Sequence, residues 1–510
     1  MPWAGLVIAV VLLLGGAILV RAMFRRAKPA PNLDATARGG PSVEQAAGVT
    51  LSPAERVILR NVFGKYSRIT VDAEFRSGYS GAHTLLILPI KPDGRADAYA
   101  IAKLAPQWLI RQELANYETF VKDTLPPVTA RIEDTPTLPE GQALGALRYT
   151  FVGQLGPART QSLREFASTH SPEEVAAIVE HRLFEVFGRN WWMQRRPFAF
   201  RLGQEYERLL PVNLVAEISA ARPEVTLNAS AREWPDTRAL AANQVVRLEG
   251  FTVEEVSADG NVVTLTLPVP SSHRFRARVR SSAKSHLPSV KTGEAQTSPP
   301  VTAAIVSTRT MLLEAEARKA FNVRASDESI TLNEQRYPNP LRTYAALLDE
   351  RVFGTLSTIH GDLNLENILI DPGGYTWLID FALTRDGHTL YDFARLETEL
   401  VTRHIAPMMG RERMAAPEFA RVMAWLDRGD RSLPPALGHA ALDDAALVLA
   451  AVRRVVNRCL FDPSRPDEYT RALLICQLGA LKFANLDTAP EAPLPKQLAF
   501  VAAAYLSKAI

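Results

Sequence analysis

The chain has 510 residues, a formal net charge of +3 and only two cysteines, Cys459 and Cys476. This length exceeds what one compact core usually holds, so more than one domain is expected. The small net charge gives no independent reason to expect nucleic-acid binding. Two cysteines exclude the disulfide framework of a small secreted protein and agree with a reducing compartment.

The first predicted element is an apolar span near the N-terminus. Residues 3–20 carry no charge, and the extended span 3–24 is long enough to cross a bilayer. Cationic residues follow the uncharged part, so the positive-inside rule predicts a single-pass inner (cytoplasmic) membrane protein with its N-terminus outside and its catalytic body in the cytoplasm. A cleaved signal peptide is the alternative. The cations are Arg21, Arg25, Arg26 and Lys28.

The next region is predicted to supply a small β-rich lobe. A strand, a glycine turn and a second strand are expected around Gly78 and Gly81, whose backbone N–H groups are candidates to cover phosphates, although two glycines also suit an ordinary hairpin. A strand over 99–104 places Lys103 among apolar neighbours, which requires an anionic partner. The following helix offers Glu113 and Glu118 as that partner.

Two helices are marked by their N-terminal signals. Ser171, Pro172 and Glu174 form an N-cap, a first-turn proline and a capping-box glutamate, and Gly188 is placed to end that helix. Asn339 and Pro340 open a second helix. Apolar residues then recur at helical spacing in the last part of the chain, which predicts a helical lobe. They include Leu396, Leu400, Ala445, Leu449, Val452 and Val456.

A small β-rich insert is predicted within this lobe. Strands are expected at 245–248, 251–256 and 262–267, followed by a strand over 273–280 in which arginines alternate with apolar residues. The arginines would then lie on one face, a candidate surface for a polyanion or an acidic protein. An ordinary solvated strand face is the alternative, because no aromatic residues interleave on the basic side. The arginines are Arg274, Arg276, Arg278 and Arg280.

Residues 357–400 carry the strongest functional pattern. Asn367 follows Asp362 by five residues, the spacing at which a catalytic loop presents a carboxylate to a hydroxyl and an amide oxygen to Mg²⁺. A predicted hairpin over 368–379 then returns the chain so that Asp380 lies at the same end as Asn367. One carboxylate and one amide are enough protein ligands for Mg²⁺. The alternative is that these acids only cap helices and form turns.

This segment resembles the aminoglycoside phosphotransferase and choline kinase branch of the protein-kinase-like fold, whose signature is HGDxxxxN followed by a strand ending in IDF or IDW. The resemblance implies that Asp362 and His360 are catalytic residues, with Asp362 as the base. It also implies that Asn367 and Asp380 bind Mg²⁺. Finally, it implies that Lys103 contacts the phosphates of ATP and that Glu113, early in its helix, is the preferred partner of Lys103.

The segment departs from the version found in regulated protein kinases. The chain has His-Gly-Asp in place of His-Arg-Asp, and Ala382 in place of the glycine of Asp-Phe-Gly. Asp392 follows Asp380 by only twelve residues, which leaves no room for a long activation loop with its phosphorylation site. A regulated protein kinase is therefore disfavoured.

The expected fold class is α+β, a bilobal protein-kinase-like fold with a small β-rich insert, preceded by one transmembrane helix. The expected parts are an anchor (1–26), a flexible linker (27–52), an N-lobe (53–155), the helical start of the C-lobe (156–234), the β insert with its loop (235–303) and the remaining C-lobe (304–510).

Three functions remain open at this point. The first is a membrane-anchored phosphotransferase that uses ATP and Mg²⁺ and phosphorylates a hydroxyl on a small molecule or a protein. The second is a kinase-like pseudoenzyme that binds nucleotide as a scaffold, and the third is a recognition protein acting through its β insert. The joint presence of Lys103, Asp362, Asn367 and Asp380 favours the first. Residues 377–399 also resemble the ternary-complex-associated domains of bacterial NTP-dependent conflict systems, which implies a defence or signalling role.

Overall fold

The computed structural model describes residues 40–75, 82–126, 129–139, 143–152, 160–231, 237–257, 260–268, 274–281, 297–428 and 434–510. These residues divide into two compact units. The first contains the described residues up to Ile110 together with Arg131–Phe151, and the second contains Arg111–Ala130 together with Val152–Ile510.

The first unit contains a five-stranded sheet. Its strands are β1 (Ser42–Gln45), β2 (Arg68–Phe75), β3 (His83–Ile90), β4 (Ala100–Pro106) and β5 (Leu144–Thr150). They lie side by side in that order, with β1 parallel to β2 and the other neighbours antiparallel. β1 falls within residues 27–52, which were expected to form a linker.

One helix, α1 (Pro53–Val62), packs on this sheet. It begins with a capping box: Ser52 Oγ accepts from the Glu55 N–H, and the Glu55 carboxylate accepts from the Ser52 N–H. Ile58, Leu59 and apolar residues from the strands share one buried core, so burial of one face of α1 adds to the stability that its cap supplies.

The second unit contains most of the helices. Ser171 and Glu174 form the predicted capping box at the start of α4 (Pro172–Ala177), and the helix continues through a π-helical stretch, Ile178–Phe184, to Glu185–Phe187 and the C-cap Gly188. The helices that follow α1 in the chain are α2 (Gln107–Phe120), α3 (Leu163–Thr169), α4 (Pro172–Ala177), α5 (Leu202–Tyr206), α6 (Arg309–Phe321), α7 (Pro340–Asp349), α8 (Tyr391–Leu400), α9 (Ala406–Arg411), α10 (Phe419–Asp427), α11 (Ala440–Cys459), α12 (Asp467–Ala480) and α13 (Leu494–Leu506).

The residues of the predicted apolar stripes are buried, although α8 is buried on every side and not along one stripe. All ten residues of α8 are buried, and α11 buries Ala445, Leu449, Val452 and Val456. A helix that is buried on every side lies in the centre of its lobe. α8 therefore forms the centre of the helical part of the second unit.

The second unit also contains fifteen described strands, arranged in one large and three small sheets. The strands are β6 (Gln161–Ser162), β7 (Arg196–Arg201), β8 (Leu214–Ile218), β9 (Val225–Asn228), β10 (Val245–Glu249), β11 (Thr252–Val256), β12 (Val262–Thr266), β13 (Arg276–Arg280), β14 (Val301–Thr308), β15 (Ser329–Leu332), β16 (Gln335–Pro338), β17 (Arg351–Ile359), β18 (Ile368–Ile370), β19 (Thr376–Leu378) and β20 (Arg385–His388). The small sheets have the orders β20-β17-β7, β19-β18-β6 and β15-β16.

The β insert is a seven-stranded sheet of order β11-β12-β13-β8-β14-β10-β9. β10 to β13 occur at the predicted places, whereas β8 and β9 precede the range 235–303 and β14 extends beyond it. Ser298 N donates to Phe251 O at 2.7 Å and Thr252 bridges Thr297, so the sheet curls until β11 meets the segment before β14. Side chains from six of the strands fill the core inside it.

The arginine strand β13 has the predicted alternation but not four equivalent arginines. Ala277 and Val279 are buried in the insert core, while Arg278 and Arg280 are exposed. Arg276 instead forms an ion pair with the buried Glu207, with Nε 3.1 Å from Oε2. The expectation that all four arginines form one free basic face is therefore corrected, because Arg276 serves the packing of the insert.

The predicted membrane topology is also corrected. Within the described residues, no helix has both the length and the apolar character needed to cross a bilayer. The predicted span, residues 3–24, lies outside the described residues. The prediction of a single-pass inner-membrane protein with the lipid bilayer as a partner therefore has no support in the described residues.

Candidate active site

A short hairpin brings the two predicted metal ligands to one end of a pair of strands. β18 and β19 are antiparallel, with Ile368 opposite Leu378, and Ile379 N donates to Asn367 O at 3.2 Å. The turn is held by Asp371, whose Oδ1 accepts from the N–H groups of Gly373 and Tyr375. Asn367 and Asp380 therefore flank the same end of the hairpin, as the sequence predicts.

The predicted catalytic loop, residues 360–367, ties Asn367 to Asp362. Asn367 Nδ2 donates to the main-chain oxygen of Asp362 at 2.9 Å, and the N–H of Asn364 donates to the same oxygen at 2.8 Å. Because hydrogen bonding commits Nδ2 to the loop, the Oδ1 of Asn367 is the atom left to face a cation. The Asn364 Oδ1 in turn accepts from the N–H groups of Glu366 and Asn367.

A buried carboxylate, Asp392 at the start of α8, fixes the beginning of the loop. Its oxygens accept from His360 N at 2.7 Å, Gly361 N at 2.9 Å and Trp192 Nε1 at 2.9 Å. Burial raises the pKa of Asp392, while His360 and these hydrogen bonds act in the opposite direction. Three donors directed at one carboxylate tie the start of the loop to α8 and to Trp192.

His360 is a structural member of this motif. Its side chain is buried, its Nε2 lies 2.9 Å from Ile379 O, and its ring contacts those of Trp191 and Phe381. The imidazole therefore joins the catalytic loop to the strand that delivers Asp380. These contacts give His360 a structural role, and its catalytic role stays a prediction. Asp362 retains a side chain that is 28% exposed.

Two residues adopt backbone conformations that the site requires. Gly361 has φ +80°, and a Cβ at this position would overlap the carbonyl oxygen of Leu383. Asp380 has φ +64°, a left-handed conformation that is uncommon for residues other than glycine. Such strained residues concentrate at functional sites, where the surrounding structure enforces them.

Helix α2 contacts the segment after Asp380. Asn116 Nδ2 donates to Ala382 O at 2.8 Å, and Gln112 Nε2 donates to the same oxygen at 3.3 Å. On this helix Glu113 is fully buried, whereas Glu118 is exposed. An exposed glutamate is easily solvated, so burial singles out Glu113 as the carboxylate on α2 that needs a charged partner.

The remaining predicted residues lie elsewhere. Lys103 is 4% exposed on β4 of the first unit, while Glu113 belongs to the second unit, so their pairing stays a prediction. Gly78 and Gly81 lie outside the described residues.

The donors at the hairpin suit a hard divalent cation. The described residues contain no group of three or more His, Cys, Asp or Glu side chains that could hold a metal. A cation here would therefore rely on the Asp380 carboxylate, the Asn367 amide oxygen and oxygen atoms from nucleotide and water. That ligand set is the one Mg²⁺ uses with phosphate substrates.

Sequence reasoning missed three residues of the site: Asn364, Asp392 as a loop anchor, and Arg395. Asn364 and Arg395 each contact the Asp362 carboxylate, with Asn364 Nδ2 at 3.1 Å and Arg395 Nε at 3.4 Å. The available signal was the charge density of residues 391–400, where acids and an arginine occur in a helix that is otherwise apolar. Charged residues on a buried helix need partners.

Several solved structures and one protein family are similar to this chain. No curated protein matches the chain. Among solved structures, amicoumacin kinase hAmiN in complex with AMP-PNP, Ca²⁺ and Ami is 9% identical with a TM-score of 0.34, covering 89% of this chain and 93% of that chain. A mutant of aminoglycoside phosphotransferase APH(4)-Ia with ADP and hygromycin B is 11% identical with a TM-score of 0.29, covering 83% and 98%. A choline/ethanolamine kinase family protein from Mesorhizobium loti is 12% identical with a TM-score of 0.27, covering 84% and 92%.

A family model covers most of the sequence. The model described as ternary complex associated domain 9 matches residues 67–482, a range that includes the hairpin, the catalytic loop and the β insert. The predicted resemblance to the kinase-like branch and to its ternary-complex-associated sub-branch is thereby confirmed. The chain belongs to the ternary complex associated domain 9 family, and its described residues form a mixed α+β fold.

Proposed function

We propose that this protein is a phosphotransferase that moves the γ-phosphoryl group of ATP to a hydroxyl acceptor. The observation that carries the proposal is the joint geometry of three residues in the second unit. Asn367 and Asp380 flank one end of the β18-β19 hairpin, and the Asn367 amide is bonded to the backbone of Asp362. A base and two metal-competent oxygens on one rigid loop are the parts that phosphoryl transfer needs.

Each residue has a separate task in this proposal. Asp362 accepts the proton of the acceptor hydroxyl, Asn367 and Asp380 hold Mg²⁺, and Lys103 with Glu113 orients the phosphates. Mg²⁺ supplies charge neutralisation between the phosphate oxygens when it is bound. Asp392 contributes indirectly, because the N–H groups it accepts from belong to His360 and Gly361.

The experiment that tests the proposal separates nucleotide binding from chemistry in the full chain. Asp380→Asn should weaken Mg²⁺-ATP binding, since it removes the charged metal ligand. Asp362→Asn should leave binding nearly intact and lower turnover by roughly 10²–10⁴-fold, the usual contribution of a general base. Calorimetry with and without Mg²⁺, followed by ATP turnover, measures both quantities.

Glu366→Gln is a matched control for this test. Glu366 lies in the same loop between Asn364 and Asn367, and its side chain is 3.3 Å from Arg164 in a partly exposed ion pair. Its removal should leave both binding and turnover at wild-type values. An equal loss of nucleotide affinity in Asp362→Asn and Asp380→Asn would show that the assigned roles are wrong.

A scaffold function is the second candidate, and the size of the β insert favours it. The insert has its own core of fifteen buried residues, far more structure than a loop between helices requires. A pseudoenzyme that binds nucleotide and acts through the insert, in a bacterial conflict or signalling system, would show Mg²⁺-dependent ATP binding without turnover. Measured ATP turnover that is lost in Asp362→Asn would exclude it.

A further inference from the structure

Two residues from different elements hold the carboxylate of Asp362. Oδ2 accepts from Asn364 Nδ2 at 3.1 Å, and Oδ1 accepts from Arg395 Nε at 3.4 Å. Asn364 belongs to the catalytic loop, whereas Arg395 belongs to α8, the buried helix whose first turn contains Asp392. One contact is therefore local, and the other ties Asp362 to the centre of the helical lobe.

Arg395 is itself held in place on several sides. Its Nη1 lies 2.8 Å from Glu399 Oε1, one helical turn further on, and its guanidinium lies 5.3 Å from the ring centroid of Phe483. The side chain is 7% exposed. Burial acts to lower the pKa of Arg395, but the Glu399 and Asp362 carboxylates raise this pKa above its ordinary value. Arg395 is thus a permanent cation whose guanidinium is held beside Asp362 by Glu399 and Phe483.

A general base must be oriented toward the hydroxyl that it deprotonates, and its negative charge must not oppose nucleotide binding. Its oxygen must lie within hydrogen-bond reach of the hydroxyl that it deprotonates, and a misplacement of about 1 Å can cost roughly a hundredfold in rate. A lone carboxylate would also repel the phosphates of a nucleotide. A fixed guanidinium on one carboxylate oxygen meets both needs, because it restricts rotation of the side chain and offsets its charge.

Building on the proposed phosphotransferase function, we propose that Arg395 is a positioning residue for Asp362. It fixes one oxygen of the base while Asn364 fixes the other, and the remaining lone pairs are directed at the acceptor hydroxyl. Arg395 touches neither nucleotide nor acceptor in this role. Its contribution is to the rate of the chemical step and not to the affinity for ATP.

A second ion pair on the same helix provides the control. Glu397 of α8 accepts from Arg453 Nε at 2.8 Å and from Nη2 at 2.9 Å, and the Arg453 side chain, 9% exposed, is about as buried as that of Arg395. Neither residue contacts the catalytic loop in the described structure. Arg453→Met therefore breaks a buried arginine-carboxylate pair without reaching the proposed base.

The experiment compares Arg395→Met, Arg395→Lys and Arg453→Met in the full chain. Arg395→Met should lower kcat by about tenfold to a hundredfold while the KM for ATP and the Mg²⁺-ATP Kd change less than about twofold. Arg395→Lys should recover part of the rate, because it keeps the charge but loses the planar donor group. Arg453→Met should lower the Tm with kcat per folded molecule unchanged.

Two kinetic results would overturn the proposal. One is a wild-type kcat in Arg395→Met. The other is a parallel fall of kcat, ATP affinity and Tm in that variant, with the same pattern in Arg453→Met, which would make Arg395 a packing residue only.

If the protein is not a phosphotransferase, the wild type itself shows no turnover. The positioning role is then tested by crystal structures of the wild type and Arg395→Met. The role predicts that the Asp362 side chain changes rotamer or loses its Asn364 contact in the variant. An unchanged Asp362 side chain would refute it.

Discussion

The catalytic segment and the β insert are built on opposite principles. Residues 360–380 place Asp362, Asn367 and Asp380 through contacts within one loop and one hairpin, and Asp392, 32 and 31 residues from His360 and Gly361, anchors the start of the loop. The insert depends on strands that are distant in sequence, because β8 lies between β13 and β14 and is parallel to β13. Local geometry can be inferred from spacing, whereas such pairings cannot.

The two regions also use buried charge differently. In the catalytic segment, Asp392 accepts from three N–H donors and holds a backbone loop. In the insert, Glu207 accepts from the guanidinium groups of Arg276 and Arg309, and Asn213 Oδ1 accepts from both residues as well. We call Glu207, Asn213, Arg276 and Arg309 the insert clamp. The first arrangement sets the geometry of a site, and the second attaches a sheet to the helical lobe.

The largest expected effect comes from breaking the anchor of the catalytic segment. Asp392→Asn keeps one acceptor oxygen but directs an amino group at N–H donors from His360, Gly361 or Trp192. The loop should shift, and ATP turnover should fall by about a hundredfold or more, since Asp362 moves with it. Kinetics per folded molecule, with circular dichroism to measure the folded fraction, check this.

Asp386→Asn is the control for that experiment. Asp386 is a half-exposed acid on β20 whose carboxylate lies 3.5 Å from Arg196, and its loss should be nearly silent. If Asp392→Asn turned over ATP at the wild-type rate, Asp392 would not be the anchor of the loop.

The second-largest expected effect is a loss of stability when the insert clamp is broken. Glu207→Ala leaves the buried Arg309 and the half-buried Arg276 without their carboxylate, so the free energy of unfolding should fall by about 3–5 kcal/mol. Glu249→Gln removes the carboxylate of an exposed pair with Arg247 in the same sheet and should cost less than about 1 kcal/mol. Urea unfolding of the two variants compares them. Equal losses would mean that the clamp contributes no more than a surface pair.

The sequence predicted the parts of the site that depend on spacing. Asp362, Asn367 and Asp380 occupy the expected loop and hairpin, and the Ser171 capping box and the buried stripe of α11 also occur as expected. These features depend on neighbours within a few residues or a few helical turns. They could therefore be inferred from the chain alone.

The missed features depend on contacts between distant residues. β8 and β9 are short strands whose place in the insert is set by partners in β13, β14 and β10. Arg276 looks like a member of a basic stripe until Glu207, 69 residues away, is brought beside it. Arg395 likewise acquires its role only when α8 packs against the catalytic loop. Periodicity carries no information about such pairs.

A smaller effect distinguishes the two glutamates of α2. Glu113 is fully buried and Glu118 is exposed on the same helix. If Glu113 orients the phosphate-binding lysine, Glu113→Gln should weaken Mg²⁺-ATP binding by about tenfold, with Glu118→Gln as the matched silent variant. Calorimetric titration of both variants measures this. Loss of affinity in Glu118→Gln alone would assign the role to Glu118.

The smallest expected effect is a change in how stability depends on pH, and it again concerns the clamp. Burial alone would raise the pKa of Glu207. The guanidinium groups of Arg309 and Arg276 outweigh burial and hold this pKa below its ordinary value. A lowered folded-state pKa means that the unfolded chain binds more protons. The stabilisation is therefore complete above about pH 4.3, the ordinary glutamate pKa, and is lost as the pH falls through the lowered pKa of Glu207.

Glu207→Gln cannot titrate, so its free energy of unfolding should fall less steeply than that of the wild type between about pH 5 and pH 3. Glu249→Gln should keep the wild-type slope, because Glu249 is partly exposed. Urea unfolding at a series of pH values gives the slopes directly. A wild-type slope in Glu207→Gln would show that the buried clamp does not couple proton binding to folding, and the insert would then be attached by its apolar contacts alone.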